Sequence, residues 1–191
     1  MAPAAPSPVV ERAGFVLLEI PTWRVLGAVP FQFNPEGLRR RLALSELVVG
    51  PGPLALAAPG APGAAEARER IELELVLDAA DDLEDPEAHP ETVRFGLLPR
   101  LDALRGATFP EPPLAAPTLL LLLLGVREAR AVRALRLEVA EEELSPSLCP
   151  LRARARLELE VLLQRDLPPG GVPDLARQEA KQALDAAPVC P

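Results

Sequence analysis

The chain of 191 residues has no tyrosine, one tryptophan (Trp23), one histidine (His89) and two cysteines, and aromatic residues make up only 3% of it. Each scarcity narrows the reading. With so few rings and 49% hydrophobic residues, the core has to be built from Leu, Val and Ala. The length is enough to bury one real core, as a single domain with appendages. Cys149 and Cys190 are far apart, without C-x-x-C spacing, so two unpaired thiols of a cytosolic protein are expected. His89 stands beside Pro90 with no second ligand near it, which leaves no partner for metal binding or for a nucleophile–base pair. Gly-x-Ser-x-Gly, a phosphate loop and zinc spacing are all missing. Glu72 and Glu74 offer two carboxylates, but two residues apart on one strand face such groups are ordinarily solvated. The sequence therefore gives no reason to expect an enzyme, a cofactor or a metal.

Positive charge is also short: the formal net charge is −8, and the run Arg39-Arg40-Arg41 is too brief to create the concentrated basic surface that nucleic acid requires. No apolar run is long. The leucines at 119–124 are stopped by Gly125-Val126-Arg127-Glu128, far short of the ~20 apolar residues of a membrane helix. They read as a fully buried element, strand or helix undecided by periodicity. Residues 1–8 are rich in Ala and Pro and lack a basic region followed by an apolar run. They read as a mobile or partner-docked arm and not as a signal peptide.

What is present is alternation. Residues 15–20 are apolar on both faces except Glu19, Pro21-Thr22 makes a break, and Trp23, Val25, Val29, Phe31 and Phe33 then fall on odd positions, so the pair reads as a β-hairpin. Asn34-Pro35 stops the second strand, because proline has no N–H to donate and restrains the residue before it. Residues 38–49 fit either strand or helix, and residues 50–65 form a low-complexity Pro/Gly/Ala stretch. Ile71, Leu73, Leu75 and Leu77 alternate with Glu72, Glu74 and Asp78, a half-buried strand. Residues 79–89 read as a solvated acidic loop without the glycine that a compact calcium loop uses. Leu97, Leu101 and Leu104 predict an amphipathic helix ending near Gly106 and interrupted by Pro99. Val132 to Ala140 is strand-like, and a polar turn follows. The strongest strand signal is Leu151, Ala153, Ala155, Leu157, Leu159 and Val161 set against Arg152, Arg154, Arg156, Glu158 and Glu160. Residues 174–187 read as a helix with a thin apolar stripe, of the kind that packs lightly or serves a neighbour.

Several pieces stand in a definite order. A strand ends in Phe31-Gln32-Phe33-Asn34-Pro35, a Leu-rich strand closes on Asp78, and a helix comes next. Then come Pro112-Pro113, an apolar strand ending at Gly125, and a strand pair whose polar excursion ends in Pro150-Leu151-Arg152-Ala153. Over residues 12–165 this ordered set resembles the tube-type domain of contractile injection systems, the phage-tail-like machines of bacteria. The resemblance implies a mainly β fold with one packed helix (α+β), a phage tail-tube-like β-sandwich or barrel, here with a short C-terminal helix. It divides the chain into a flexible N-terminal arm (1–11), the tube-type β domain (12–165), and a Pro/Gly linker with a helix (166–191). It further implies a structural adaptor: a hexameric ring of copies of itself at the baseplate, between the inner tube protein and the spike protein and touching other baseplate proteins. Such a ring has no nucleic-acid partner, no direct membrane insertion and no cofactor, and it resides in the cytoplasm within an assembled particle. Phe31, Phe33, Asn34, Pro35, Gly125, Pro150, Arg152 and Ala153 carry over as the motif and assembly candidates. Two departures stand out: Leu124 occupies a place where the family often has an aromatic, and the segment after Leu167 is too short for the LysM module of many members. The alternative reading is a stand-alone β-sandwich carrier or chaperone.

Overall fold

The computed structural model describes residues 11–44, 67–110, 117–125 and 128–188. The N-terminal arm up to residue 10, the Pro/Gly/Ala stretch at 50–65, Pro112-Pro113 and Cys190 lie outside the described residues.

Seven strands form one antiparallel sheet: β1 (Ala13–Glu19), β2 (Val25–Pro30), β3 (Leu38–Leu44), β4 (Ala67–Asp78), β5 (Thr118–Leu124), β6 (Glu128–Leu144) and β7 (Pro150–Val161). Their order across the sheet is β2-β1-β5-β6-β7-β4-β3. Among the described residues four helices accompany them: α1 (Ala80–Glu84), α2 (Pro90–Phe95), α3 (Leu98–Thr108) and α4 (Asp174–Ala186). The fold is mainly β, of the α+β kind, as expected.

Two apolar clusters lie on opposite faces of the sheet. The inner one takes Phe15, Leu120 and Leu122 from one half of the sheet, and Ile71, Leu73, Leu157 and Leu159 from the other. Leu97, Leu101 and Leu104 seal it from the helical side. Phe15 and Phe31 meet edge to face here, with ring centroids 5.1 Å apart at 79°, the arrangement in which a ring's positive edge meets a negative face. The second cluster lies behind β1 and β5, where Val16, Leu18, Leu119, Leu121 and Leu123 pack against Val172, Ala176, Ala180 and Leu184. The leucine run is thus a strand with both faces covered. Alternation is lost in such a strand because neither side meets water.

Three local readings are corrected. The acidic stretch after Asp78 is not a plain solvated loop: α1 forms within it, Asp82 is buried, and Asp78 Oδ1 accepts a hydrogen bond from Ala80 N at 2.9 Å. The single interrupted helix is two, α2 ending at Gly96 (φ 59°) and α3 carrying Pro99 in its first turn and running on to Thr108. Proline is tolerated there because the first-turn N–H groups have no intrahelical acceptor. The C-terminal helix does not pack lightly. Its stripe is thin, but the small residues Ala176 and Ala180 let it approach the sheet closely, and Leu184 is 1% exposed. Residues 38–44, undecided from sequence, form β3, with Leu38 opposite Leu73 and Leu44 opposite Ala67.

Candidate functional site: two motif clusters and an uncovered charged face

The stretch Phe31-Gln32-Phe33-Asn34-Pro35 leaves β2 and crosses to the far side of the sheet, and each residue has a separate task. Phe31 is buried in the inner core, whereas Phe33 is 45% exposed. Gln32 clamps the end of β4: its Nε2 donates to Asp78 O at 2.7 Å and its Oε1 accepts from Asp78 N at 2.9 Å. An isolated side-chain amide that replaces a strand neighbour in this way satisfies both backbone groups where pairing runs out. Asn34 does the same for the start of β1, accepting from Ala13 N at 3.1 Å and donating to Glu11 O at 2.8 Å. Pro35 is partly buried as the chain turns toward β3.

Asp78 gathers more than Gln32. Arg152 lies opposite it across the β4–β7 ladder, with Nε 3.8 Å from its carboxylate. The same guanidinium reaches Glu142 and Glu143 at 3.7 and 3.8 Å. Beside this point Arg100, 8% exposed, donates to Gln32 Oε1 at 3.1 Å and to Asp78 O at 3.3 Å, and pairs with the buried Asp82. Thr92 Oγ1 donates to the same Asp82 carboxylate at 2.9 Å. A buried ion pair is tolerable only when its remaining donors and acceptors are met in this way. Pro150 is fully buried and its carbonyl accepts from Leu97 N at 2.8 Å, which anchors the start of α3. Ala153 is fully buried in the inner core.

Gly125 belongs to the second cluster. Its φ is +63°, a conformation in which an L side chain is strained, and the Glu11 carboxylate lies where a Cβ would stand, so the turn after β5 favours glycine. Glu11 therefore links the two: its carboxylate lies against Gly125 and its carbonyl accepts from Asn34. The structure thus brings Phe31, Gln32, Pro150, Arg152 and Ala153 around the Asp78 end of the inner core, and Asn34 and Gly125 around Glu11. Phe33 joins neither cluster. Sequence reasoning missed Gln32, Asp82 and Arg100. Gln32 was the unassigned x of the motif, and nothing in the chain marks an Arg and an Asp 18 residues apart as one buried pair.

The outer face of β6, β7, β4 and β3 has no described layer over it. Arg156 pairs with Glu74 at 2.9 Å, Arg154 with Glu142 at 2.8 Å, Arg70 with Glu158 at 3.0 Å and Arg41 with Glu72 at 3.1 Å. The hydrogen bond from Arg156 holds the Glu74 carboxyl below its ordinary range. On the inner side, where the apolar rows end, Arg40, Glu69, Glu128 and Arg130 form a closed ion network. Burial raises the Glu128 pKa, and hydrogen bonds from Arg130 and Arg40 outweigh it, so its net shift is downward.

A cavity of about 160 Å³ lies beside the first cluster, between Val29, Phe31, Leu75, Leu77 and Leu104, with Arg100 at its wall. Cys149 is a free thiol, half-buried beside the Arg94 carbonyl. Among the described residues no group of three His, Cys, Asp or Glu is placed to hold a metal ion, and no helix is long and apolar enough to cross a membrane. No protein-family model matches the chain, and no curated protein is significantly similar to it.

Proposed function

We propose that this protein is a non-enzymatic structural subunit of a bacterial contractile injection system, an adaptor that forms a hexameric ring at the baseplate and joins the inner tube to the spike. The observation that carries the reading is the convergence at Asp78. The Phe-x-Phe-Asn-Pro segment, the Asp-terminated strand and the Pro-x-Arg-Ala segment lie in separate thirds of the chain, yet Gln32, Asp78 and Arg152 meet there. Pieces that resemble a family only through their order are here parts of one physical joint, as a shared architecture would require of them. The uncovered face of ion-paired Arg and Glu suits a surface presented inside a ring or to a neighbour. Its charges are already matched within the subunit and do not demand a particular partner.

Adaptor is preferred to bulk tube on physical grounds. A subunit repeated along a tube must present matching top and bottom faces, so its appendages would have to fit at every layer. A single-layer ring is free of that requirement, and its two sides can hold different partners.

Particles purified from a bacterium that makes them, with this gene deleted, give the test. Loss of tube initiation or of the spike is the expected result. Complete particles that retain both tube and spike would overturn the reading.

A further inference from the structure

We propose that the cavity beside Asp78 is a preformed binding site for a small neutral apolar molecule, of the size of a single aromatic ring. The proposal goes beyond the structural role above and does not depend on it.

The cavity holds about 160 Å³ of free space between β2, β4 and α3, and its walls are mostly apolar, from Val29, Phe31, Leu75, Leu77 and Leu104. A space of about 150 Å³ lined by Leu, Ile and Phe stays dry and takes benzene, because water needs two or more polar partners to settle there. An ordinary core closes such a gap, since each missing contact forfeits dispersion energy. Here the walls are held apart. Just beyond β2, Gln32 bonds both backbone groups of Asp78 at the end of β4, and Arg100 ties α3 to the same two residues. Phe31 is the aromatic residue of the lining, and its edge-to-face contact with Phe15 keeps its ring from swinging into the space. Polar groups that have to remain satisfied thus set the spacing of the apolar walls, as a preformed pocket requires.

The polar end of the cavity sets the chemistry of the ligand. Gln32 Oε1 already accepts from Asp78 N and from Arg100, and Gln32 Nε2 donates to Asp78 O. The charge of Arg100 is met by the buried Asp82. An anion entering here would lose its hydration and gain no unmatched cation in return, so a neutral apolar molecule is preferred.

The mouth distinguishes a free molecule from a partner's side chain. Ala103 and Pro188 are the exposed residues of the lining. None of the exposed large apolar side chains among the described residues lines the cavity. A protein that inserted an anchoring side chain would press on a surrounding rim that excludes water. Small residues at the mouth give room for entry and no such rim.

Methyl-resolved NMR of the purified full chain, titrated with toluene, provides the test. Saturable shifts at Val29, Leu75, Leu77 and Leu104 are expected, with a rise in melting temperature, because a ligand that binds only the folded chain stabilises it. Benzoate, the same ring carrying a charge, should produce neither. Ala103→Leu carries a larger apolar group into the mouth and should remove the toluene shifts, whereas Ala103→Ser leaves the space and should keep them. Melts without ligand verify that both variants fold, and the contrast between toluene and benzoate stands without them. Shifts that do not saturate or do not centre on these four residues, benzoate binding as well as toluene, or a folded Ala103→Leu chain that binds toluene as before would each overturn the proposal. Toluene binding by a chain shortened to Pro188 and not by the full chain would show that the chain's own end takes the space, and would overturn it equally.

Discussion

The two halves of the sheet solve the same problem differently. In β1 and β5 both faces are covered: Phe15, Leu120 and Leu122 point into the inner core, while Val16, Leu119, Leu121 and Leu123 point at α4. In β4 and β7 one face is covered and the other is a lattice of Arg and Glu. The first half reads as an unbroken leucine run, the second as strict alternation. Sequence period here reports how many layers lie over a strand, and among the described residues the half with an open face also has, in β3 and in residues 133–144 of β6, an edge without a strand neighbour.

The largest effect should come from converting one half into the other. Removing residues 167–191 strips α4 and exposes Val16, Leu18, Leu119, Leu121 and Leu123 together, so the truncated chain should lose its cooperative melt and bind a hydrophobic dye. A melt within a few degrees of the full chain's would show that the second layer is dispensable.

Next comes parity. In the covered half, Leu121→Asp and Leu122→Asp should both abolish folding, since each buries an unpaired charge. In the open half, Leu157→Asp should abolish it, whereas the neighbouring Glu158→Lys should leave a folded chain with little change in melting temperature. Circular dichroism of the four variants decides the matter, and equal behaviour of Leu157→Asp and Glu158→Lys would refute the assigned strand phase.

The joint between the halves gives intermediate effects. Arg100→Met leaves Asp82 buried without this cation and should cost about 3–5 kcal/mol, measured by denaturant unfolding. Asp82→Asn in the same chain should restore part of that loss. Asn34→Ala removes the two bonds that tie the segment to β1 and should cost about 1–3 kcal/mol.

The smallest effect is pH dependence. Glu74 on β4, Glu128 at the start of β6 and Asp166 just after β7 all have carboxyl pKa values held below the ordinary range. Burial acts upward on Asp166, and the Leu163 N–H and Arg68 together outweigh it. A carboxyl lowered on folding contributes stability above its unfolded pKa, which is lost as pH falls through the folded value. The melting temperature should therefore be level near neutrality and decline below about pH 4. A melting temperature that rises on acidification would contradict these pairings.

How much was legible depends on the range of the interactions. The phase of β7 was plain, because alternate burial of Ala153, Ala155, Leu157 and Leu159 is written residue by residue. The break of the helical segment was half legible: Pro99 announced it, but the role of Gly96 depends on Pro150, 54 residues away. The motif residues were legible as types and not as contacts. Phe31 and Asn34 stood out, while Gln32 did not, although its amide forms the joint with Asp78.

By itself the sequence determined that this chain is mainly β, that its core is aliphatic, and which side of β4 and β7 faces inward, since a period-two pattern fixes side-chain direction through local geometry alone. Only the tertiary structure decided that the leucine run is a strand, because a continuous apolar run suits a buried strand and a buried helix equally until the layer over it is known. Only the tertiary structure also placed Gln32, Arg100 and Arg152 around Asp78 and left β3 and half of β6, among the described residues, with an edge that no strand covers. Those outcomes depend on which strands become neighbours, and strand order is set by packing between segments distant in the chain, for which no local pattern exists.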